Sequence, residues 1–311
     1  MRVPTGHVPA GHVPTGHLPT GRVPSERVQG LALLLVSACS WGFNWPVAKF
    51  LLSELPPFTM RAVCCVGAVA FAFLLAAMRG EALAPPRAHW GRLLMFATLN
   101  YGAFVVMTTF ALVWLPASEA VIVTYTLPIW AVLLAWPVLG ERPTMLSGAA
   151  VVLGLGGVAL LVGIGEVQPD PHRVPGVLCG LAAAMLFGLG TVIAKRRPLA
   201  LPPITGAAWQ ILLSTFPLLL MAGFEHPDWG KVTAVGWMAC VFSATLPYTI
   251  AYLAWFGALR RLPTSTATIG VLLAPVVGVF AAAALLGDPL GARQVAALVL
   301  TVGGIALAAR G

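Results

Sequence analysis

Long uncharged stretches alternate with short charged ones along most of this chain. Ten intervals without Asp, Glu, Lys or Arg lie at residues 28–48, 62–78, 93–118, 120–140, 143–165, 174–194, 198–224, 232–259, 262–287 and 294–309. A helix needs roughly 17–25 residues to cross a hydrocarbon core of about 30 Å, and each interval reaches or nearly reaches that length. Because the intervals lack the alternation of barrel strands, they predict an all-α polytopic membrane protein with ten transmembrane helices.

Composition supports the same class of protein. Only 9% of the 311 residues are charged and 59% are hydrophobic, and the mean hydropathy is +0.91, whereas a soluble domain carries about 25% charged residues. The five cysteines lie within predicted helices and have no metal-ligand spacing. We therefore predict neither a cofactor nor a metal site.

The basic residues predict the orientation. An even number of crossings places both termini on one side, and that side carries 13 of the 18 Lys and Arg residues. The other side carries Lys49, Arg61, Arg173, Lys231 and Arg293. The positive-inside rule places both termini in the cytoplasm. This asymmetry accounts for the net charge of +8, so the sequence does not require a nucleic-acid partner.

The first 27 residues form a five-residue repeat: VPTGH, VPAGH, VPTGH, LPTGR and VPSER. Proline at every fifth position opposes a helix, and the segment lacks the apolar core of a signal peptide. It predicts a disordered cytoplasmic tail over residues 1–27.

The remaining chain contains two loose copies of one sequence. WGFNWPVAKFLLSELPPFT at 41–59 returns as FGLGTVIAKRRPLALPPIT at 187–205, with AK and LPP in register. One added residue later, LPASEA matches LPTSTA, LGE matches LGD, and Tyr101 matches Tyr248. The copies define two five-helix repeats, 28–165 and 174–309. Because five is odd, the second repeat enters the membrane from the opposite face, an arrangement typical of secondary carriers.

This pattern resembles the drug/metabolite transporter superfamily over residues 28–309. The string SWGFN in the first helix and GE after the fourth are most similar to the EamA branch, and within it to the bacterial aromatic amino acid exporters. The resemblance implies an exporter in the bacterial inner membrane. FGLGT in the second repeat departs from the family's Trp-Gly-x-Asn string, and the N-terminal tail has no counterpart in the family.

Prolines at matching places predict the moving parts. Pro128 and Pro275 are repeat partners in the fourth and ninth helices, and each removes a backbone hydrogen bond. Pro46 and Pro247 add bends without partners. We expect these four to be hinge or gating residues; packing alone is the alternative for each.

Polar and aromatic side chains within the predicted helices are candidates to line a substrate cavity between the halves. They are Trp41, Asn44, Trp45, Asn100, Tyr101, Thr108, Tyr125, Ser243, Thr245, Tyr248 and Tyr252. The alternative for each is ordinary packing or a hydrogen bond between helices.

Charged residues are predicted near helix ends rather than at helix centres. Lys49 and Lys195 can extend toward the interface, and Arg61 is placed near the outer face, where it could meet Glu54. Glu119 lies in the first turn of the fourth helix. There it either complements the helix dipole or provides an outer-mouth charge or proton site. Facilitated diffusion is the alternative to proton coupling.

The absence of predicted cations at depth favours a neutral or zwitterionic substrate, in particular aromatic or apolar amino acids. A phosphorylated substrate would need several cations at its site. A carrier of drug-like or phosphorylated compounds on the same fold, or a channel, remains an alternative. The aspartates lie in loops and neither GxSxG nor HExxH occurs, so the sequence does not predict an enzyme. It leaves the oligomeric state open.

Overall fold

The computed structural model describes residues 24–142, 144–162, 171–262, 266 and 270–308. Within these residues the fold consists of helices and connecting loops, and no strand occurs. The first half contains α1 (Pro24–Glu54), α2 (Pro57–Met78), α3 (Trp90–Phe96), π1 (Ala97–Gly102), α4 (Ala103–Trp114), α5 (Ala117–Thr124), α6 (Leu127–Leu139) and α7 (Met145–Val162). The second contains α8 (Val174–Arg196), α9 (Pro203–Ala222), α10 (Ala234–Thr245), π2 (Leu246–Ile250), α11 (Ala251–Arg261), α12 (Leu273–Leu286) and α13 (Ala292–Ala308).

Helix α1 begins at Pro24. It therefore includes residues 24–27, which the pentapeptide pattern assigns to the tail. The remainder of the predicted disordered tail, residues 1–23, lies outside the described residues.

Seven helical stretches in the described ranges are long and apolar enough to cross a membrane. Three shorter apolar helices, Met145–Leu161, Leu273–Leu286 and Ala292–Ala308, accompany them. The polytopic all-helical class is therefore confirmed, whereas the count of ten transmembrane helices stays a prediction.

Helix packing has the same pattern in both halves of the chain. Helix α1 packs against α11 and α12, and its repeat partner α8 packs against α4 and α6. Helix α2 packs on its own repeat partner α9, and α7 on α13. Each contact in one half thus has a counterpart in the other.

The repeated LPPxT string begins α2 and α9, and each beginning is capped by a carboxylate that follows the other helix. Glu225 accepts hydrogen bonds from the Thr59 backbone N–H (2.6 Å) and hydroxyl (2.8 Å). Glu81 accepts the same pair from Thr205, at 2.8 and 3.0 Å. Because the end of each helix meets the start of the other, α2 and α9 run antiparallel.

The repeated LGE and LGD strings end α6 and α12. Gly140 and Gly287 adopt positive φ angles of 78° and 69° at these C-termini, a conformation that favours glycine. The acid after the second glycine, Asp288, accepts hydrogen bonds from the Ser118 backbone N–H (2.9 Å) and hydroxyl (3.1 Å) at the start of α5. Asp288 therefore caps a helix of the opposite repeat.

We expect Glu225→Ala or Glu81→Ala to lower the free energy of unfolding by about 1 kcal/mol each. Each variant removes the acceptor for two N–H groups that have no partner within their helix, and a negative charge at the positive end of that helix. Thermal unfolding of the purified protein in detergent would measure the change. The control is Asp228→Ala, in an exposed turn where the carboxylate contacts only Gly230 and Lys231. A loss as large in the control as in the two caps would contradict this assignment.

Candidate functional site

Two tryptophans on one face of α1 meet tyrosines from opposite halves of the chain. The ring centroids of Trp41 and Tyr252 lie 5.4 Å apart in an edge-to-face arrangement. Those of Trp45 and Tyr125 lie 6.4 Å apart. The Trp41 Nε1–H also donates to the Pro247 carbonyl at 3.1 Å. The i, i+4 spacing of the tryptophans thus places both against other helices, as expected for one helix face.

Tyr101 and Tyr248, the matched tyrosines, lie in the two π-helical segments π1 and π2. Both are buried, and their ring centroids are 5.8 Å apart. Because π segments interrupt the regular helical hydrogen bonding and often occur at functional sites, this pair is the centre of the candidate site.

The second repeat lacks a counterpart of Asn44, and the structure shows what occupies that space. The equivalent position is Gly190 in α8, and a Cβ atom there would coincide with the Asn100 side-chain amide. Asn100 therefore packs against α8 where a side chain at 190 would otherwise lie. The candidate site is asymmetric as a result. The rings of Trp41 and Tyr252 lie between α1 and α11. At the matching contact between α8 and α4, the rings of Phe187 and Phe104 lie 5.1 Å apart.

Several of the candidate cavity residues carry buried polar atoms without a hydrogen-bond partner in the described part of the chain. They are Asn44 Oδ1, Asn100 Oδ1, the Tyr101 hydroxyl and Ser243 Oγ. Unsatisfied buried polar atoms are costly and uncommon in native proteins. They are therefore suited to receive hydrogen bonds from, or donate them to, a bound polar molecule.

Thr108 and Thr245 do not add to this set. The Thr108 hydroxyl donates to the Phe104 carbonyl at 2.8 Å, and the Thr245 hydroxyl donates to the Val241 carbonyl at 2.8 Å. Both hydroxyls are used within their own helix, a common arrangement for threonine in apolar helices.

The environment of Arg61 is one that the sequence analysis missed. The expected contact with Glu54 is wrong, because Glu54 instead accepts hydrogen bonds from Thr233 at the start of α10. The Arg61 side chain is buried, with 4% exposure. Its Nε donates to Thr109 Oγ1 at 2.7 Å and its Nη1 donates to the Tyr248 hydroxyl at 3.1 Å. A cation therefore lies against the tyrosine pair.

Lys49, which was predicted to extend toward the interface, contacts the end of a neighbouring helix. Its ammonium donates to the carbonyl oxygens of Leu112 and Leu115 at the end of α4. These carbonyls belong to the last turn of a helix, where free acceptors and the negative end of the dipole attract a cation. Lys195, in contrast, is exposed and pairs with Glu141 at 2.7 Å.

Glu119 is buried and held by basic and amide groups. Arg173 donates to both of its carboxylate oxygens, at 2.8 and 3.1 Å. Gln294 Nε2 donates at 3.1 Å, and Arg293 lies 4.0 Å away. The carboxylate thus joins α5, the start of α8 and α13, which is a larger structural role than the helix-dipole contact expected for it.

The matched prolines lie just after breaks in their helices. Tyr125 and Thr126 interrupt the helix between α5 and α6, and Pro128 is in the first turn of α6. In the second half, Leu272 is in a turn and Pro275 is in the first turn of α12. Proline tolerates a first turn because its missing N–H has no intrahelical partner there. Pro46 lies inside α1 and Pro247 in π2.

The packing of discontinuous helices around a central group of aromatic and polar side chains defines a class of protein, the membrane transporters of small molecules. The EamA-like transporter family matches the chain twice, at residues 28–163 and 174–310. The chain belongs to this family.

Individual relatives have related names. An "Aromatic amino acid exporter YddG" from Ancylobacter novellus is 31% identical over 82% of this chain and 88% of its own length. A "Probable amino-acid metabolite efflux pump" from Salmonella typhimurium is 27% identical over 88% of this chain and 92% of its own. A solved crystal structure covers 92% of this chain and 97% of its own, with a TM-score of 0.64 and 24% identity, which supports the fold.

These findings confirm the family predicted from the repeat and the SWGFN string. The chain is an integral membrane transporter of small molecules, and its family and the two named relatives are transporters rather than enzymes.

Proposed function

We propose that this protein is a secondary transporter that exports a small zwitterionic or neutral metabolite by alternating access. Amino acids with aromatic or apolar side chains are the substrates that we consider best matched. The names of the two relatives support an amino-acid substrate and the outward direction. The aromatic and hydrogen-bonding groups around Tyr101 and Tyr248 support the same class, because aromatic walls with a few polar atoms suit an amphipathic ligand.

The proposed architecture is ten transmembrane helices in two inverted five-helix repeats. The antiparallel packing of α2 and α9 supports the inversion, because the beginning of each helix is capped by a carboxylate from the opposite repeat. The matched contacts of α1 and α8 support the two-fold relation. The proposed location is the bacterial inner membrane, as the family resemblance implies. The basic residues support an orientation with both termini in the cytoplasm.

The observation that carries the proposal is the pair of π-helical segments. They occur at matching places in the two repeats, each contributes a buried tyrosine, and the two rings lie within 5.8 Å of each other. A site on the pseudo-symmetry axis is reachable from either face as the halves rearrange. The helix breaks before Pro128 and Pro275 would allow α6 and α12 to move relative to α5 and the segment before Leu272.

Proteoliposome flux of labelled phenylalanine tests the proposal. We expect saturable flux, and we expect Tyr248→Ala or Asn44→Ala to lower the flux at subsaturating substrate by about tenfold or more, because each removes a group at the centre of the site. Ser53→Ala is the control, since Ser53 lies exposed near the end of α1 and donates only to the Phe50 carbonyl. Absence of phenylalanine flux in the wild-type protein, together with flux of a phosphorylated compound, would overturn the substrate class.

An imposed pH gradient in the same vesicles tests proton coupling. Glu119 is the candidate proton site, but both of its oxygens accept hydrogen bonds from Arg173. Because the carboxylate is held in this buried ion pair between helices, we expect flux to follow the substrate gradient alone. Accumulation driven by the pH gradient, and lost in Glu119→Gln, would show proton coupling instead.

A further inference from the structure

We infer that Arg61 is the binding group for a substrate carboxylate, so that the transported molecule carries one carboxylate at the tyrosine pair. This inference rests on the proposed function in that it assigns a chemical feature to the substrate of the same site. It begins from a buried cation that has hydroxyl partners but no ion pair among the described residues.

The polar partners of Arg61 are neutral hydroxyl groups. Its Nε and Nη1 atoms donate to Thr109 and Tyr248, and its second Nη atom makes no hydrogen bond within the described ranges. None of the ion pairs in the described part of the chain includes Arg61. A guanidinium removed from water without a counter-ion is unfavourable. Ionisable groups retained within membrane-spanning segments commonly mark the path of a substrate or ion.

Glu225 lies at the beginning of α2 but makes no ion pair with Arg61 in the described part of the chain. Its oxygens accept from the N–H groups of Phe58 and Thr59 and from the Thr59 hydroxyl. Its charge therefore offsets the positive end of the α2 dipole. Because no carboxylate contacts the guanidinium within the described residues, an incoming anion can pair with it directly.

A second donor lies on the other ring of the tyrosine pair. The Tyr101 hydroxyl is buried and has no partner among the described residues, and its ring is 5.8 Å from that of Tyr248, which Arg61 contacts. A carboxylate has two oxygens with several lone pairs. It can accept from the free Nη group of Arg61 and from the Tyr101 hydroxyl, which would satisfy both.

Charge balance distinguishes a carboxylate from a phosphate. Arg61 offers one positive charge, whereas a phosphate monoester carries close to two negative charges at neutral pH. Lys49, a partly buried cation in α1, is committed to the carbonyl oxygens of Leu112 and Leu115. One buried guanidinium matches one carboxylate, as in an amino acid zwitterion or a monocarboxylate.

Equilibrium binding to the full-length protein in lipid nanodiscs tests the assignment. The probes are L-phenylalanine, phenylalaninamide, which lacks the carboxylate, and 3-phenylpropanoate, which lacks the ammonium. We expect Arg61→Gln to weaken the binding of phenylalanine and phenylpropanoate by about 30-fold or more, the loss typical of a buried charge pair. Binding of the amide should stay unchanged, which also shows that the variant folds.

Two further variants sharpen the result. Arg61→Lys keeps the charge but loses the planar fork, so it should retain a clear preference for phenylalanine over its amide. Arg92→Gln is the matched control, because Arg92 lies at the surface and donates to the Pro198 carbonyl. It should leave all three affinities as in the wild type.

Equal weakening of phenylalanine and its amide by Arg61→Gln would show a purely structural role and overturn the inference. Tighter wild-type binding of phenyl phosphate than of phenylpropanoate would also overturn it. Absence of phenylalanine flux with Arg61-dependent binding of phenylpropanoate would support the carboxylate site while overturning the proposed amino-acid substrate. The two proposals can therefore fail separately.

Discussion

Replacing Glu119 with glutamine is expected to lower the free energy of unfolding by about 3 kcal/mol, the low end of the range for breaking a buried ion pair. The Glu119 side chain is 1% exposed and receives Arg173 on both oxygens. Glutamine keeps the shape but removes the negative charge that Arg173 and Arg293 both face. The low end applies because these arginines are about one-quarter exposed, at 25% and 26%.

Chemical or thermal unfolding in a single detergent would measure this change, and the protein offers a matched control. Glu141→Gln breaks an ion pair of similar length, 2.7 Å to Lys195, whose two side chains are 52% and 65% exposed. Exposed pairs contribute about 0–1 kcal/mol, so the control should change stability little. Similar effects of the two variants would mean that Arg173 and Arg293 become hydrated in Glu119→Gln, and that the burial of Glu119 does not increase the contribution of its ion pair to stability.

Alanine at Gly42 or Gly188 is expected to destabilise the protein by about 2 kcal/mol at each position, as is typical of overpacking. The two glycines are repeat partners. A Cβ at Gly42 would lie 2.7 Å from the Ala274 carbonyl oxygen in α12, and one at Gly188 would lie 2.9 Å from the Ala131 amide nitrogen in α6. The obstacles are backbone atoms, so the helices themselves must separate.

Gly156→Ala is the control for both, since a Cβ at Gly156 meets nothing within 4 Å. Alanine there should be neutral or stabilising by up to about 1 kcal/mol through its higher helix propensity. The three variants can be compared by thermal unfolding under the same conditions. Unchanged stability of Gly42→Ala and Gly188→Ala would contradict the close approach of α1 to α12 and of α8 to α6.

These two close approaches also bear on transport. Gly42 and Gly188 contact α12 and α6, the segments that follow the breaks at Leu272 and Thr126. Glycine allows two helices to approach until their backbones touch, as in other membrane helix pairs. In the proposed mechanism, α12 slides past α1 at Gly42 and α6 slides past α8 at Gly188, where no side chain obstructs the movement.

The sequence by itself determined the class of protein, the repeat and the family. Charge spacing and hydropathy predict directly which segments partition into a bilayer, because the partitioning of a helix depends on its own length and side chains. The repeated strings also predicted structure from the sequence alone, for a related reason. LPPxT begins a helix and LG ends one, so their chemistry acts within a few residues of chain and survives in both copies.

The partners of the charged residues were decided only by the tertiary structure. For Arg61 the sequence suggested Glu54, but the contacts found are with Thr109 and Tyr248. The sequence near Lys49 did not indicate its contacts with the end of α4. A side chain on a helix can face lipid, water or another helix, depending on which helices pack around it. These contacts join residues between 48 and 187 positions apart in the chain, and no local pattern encodes them.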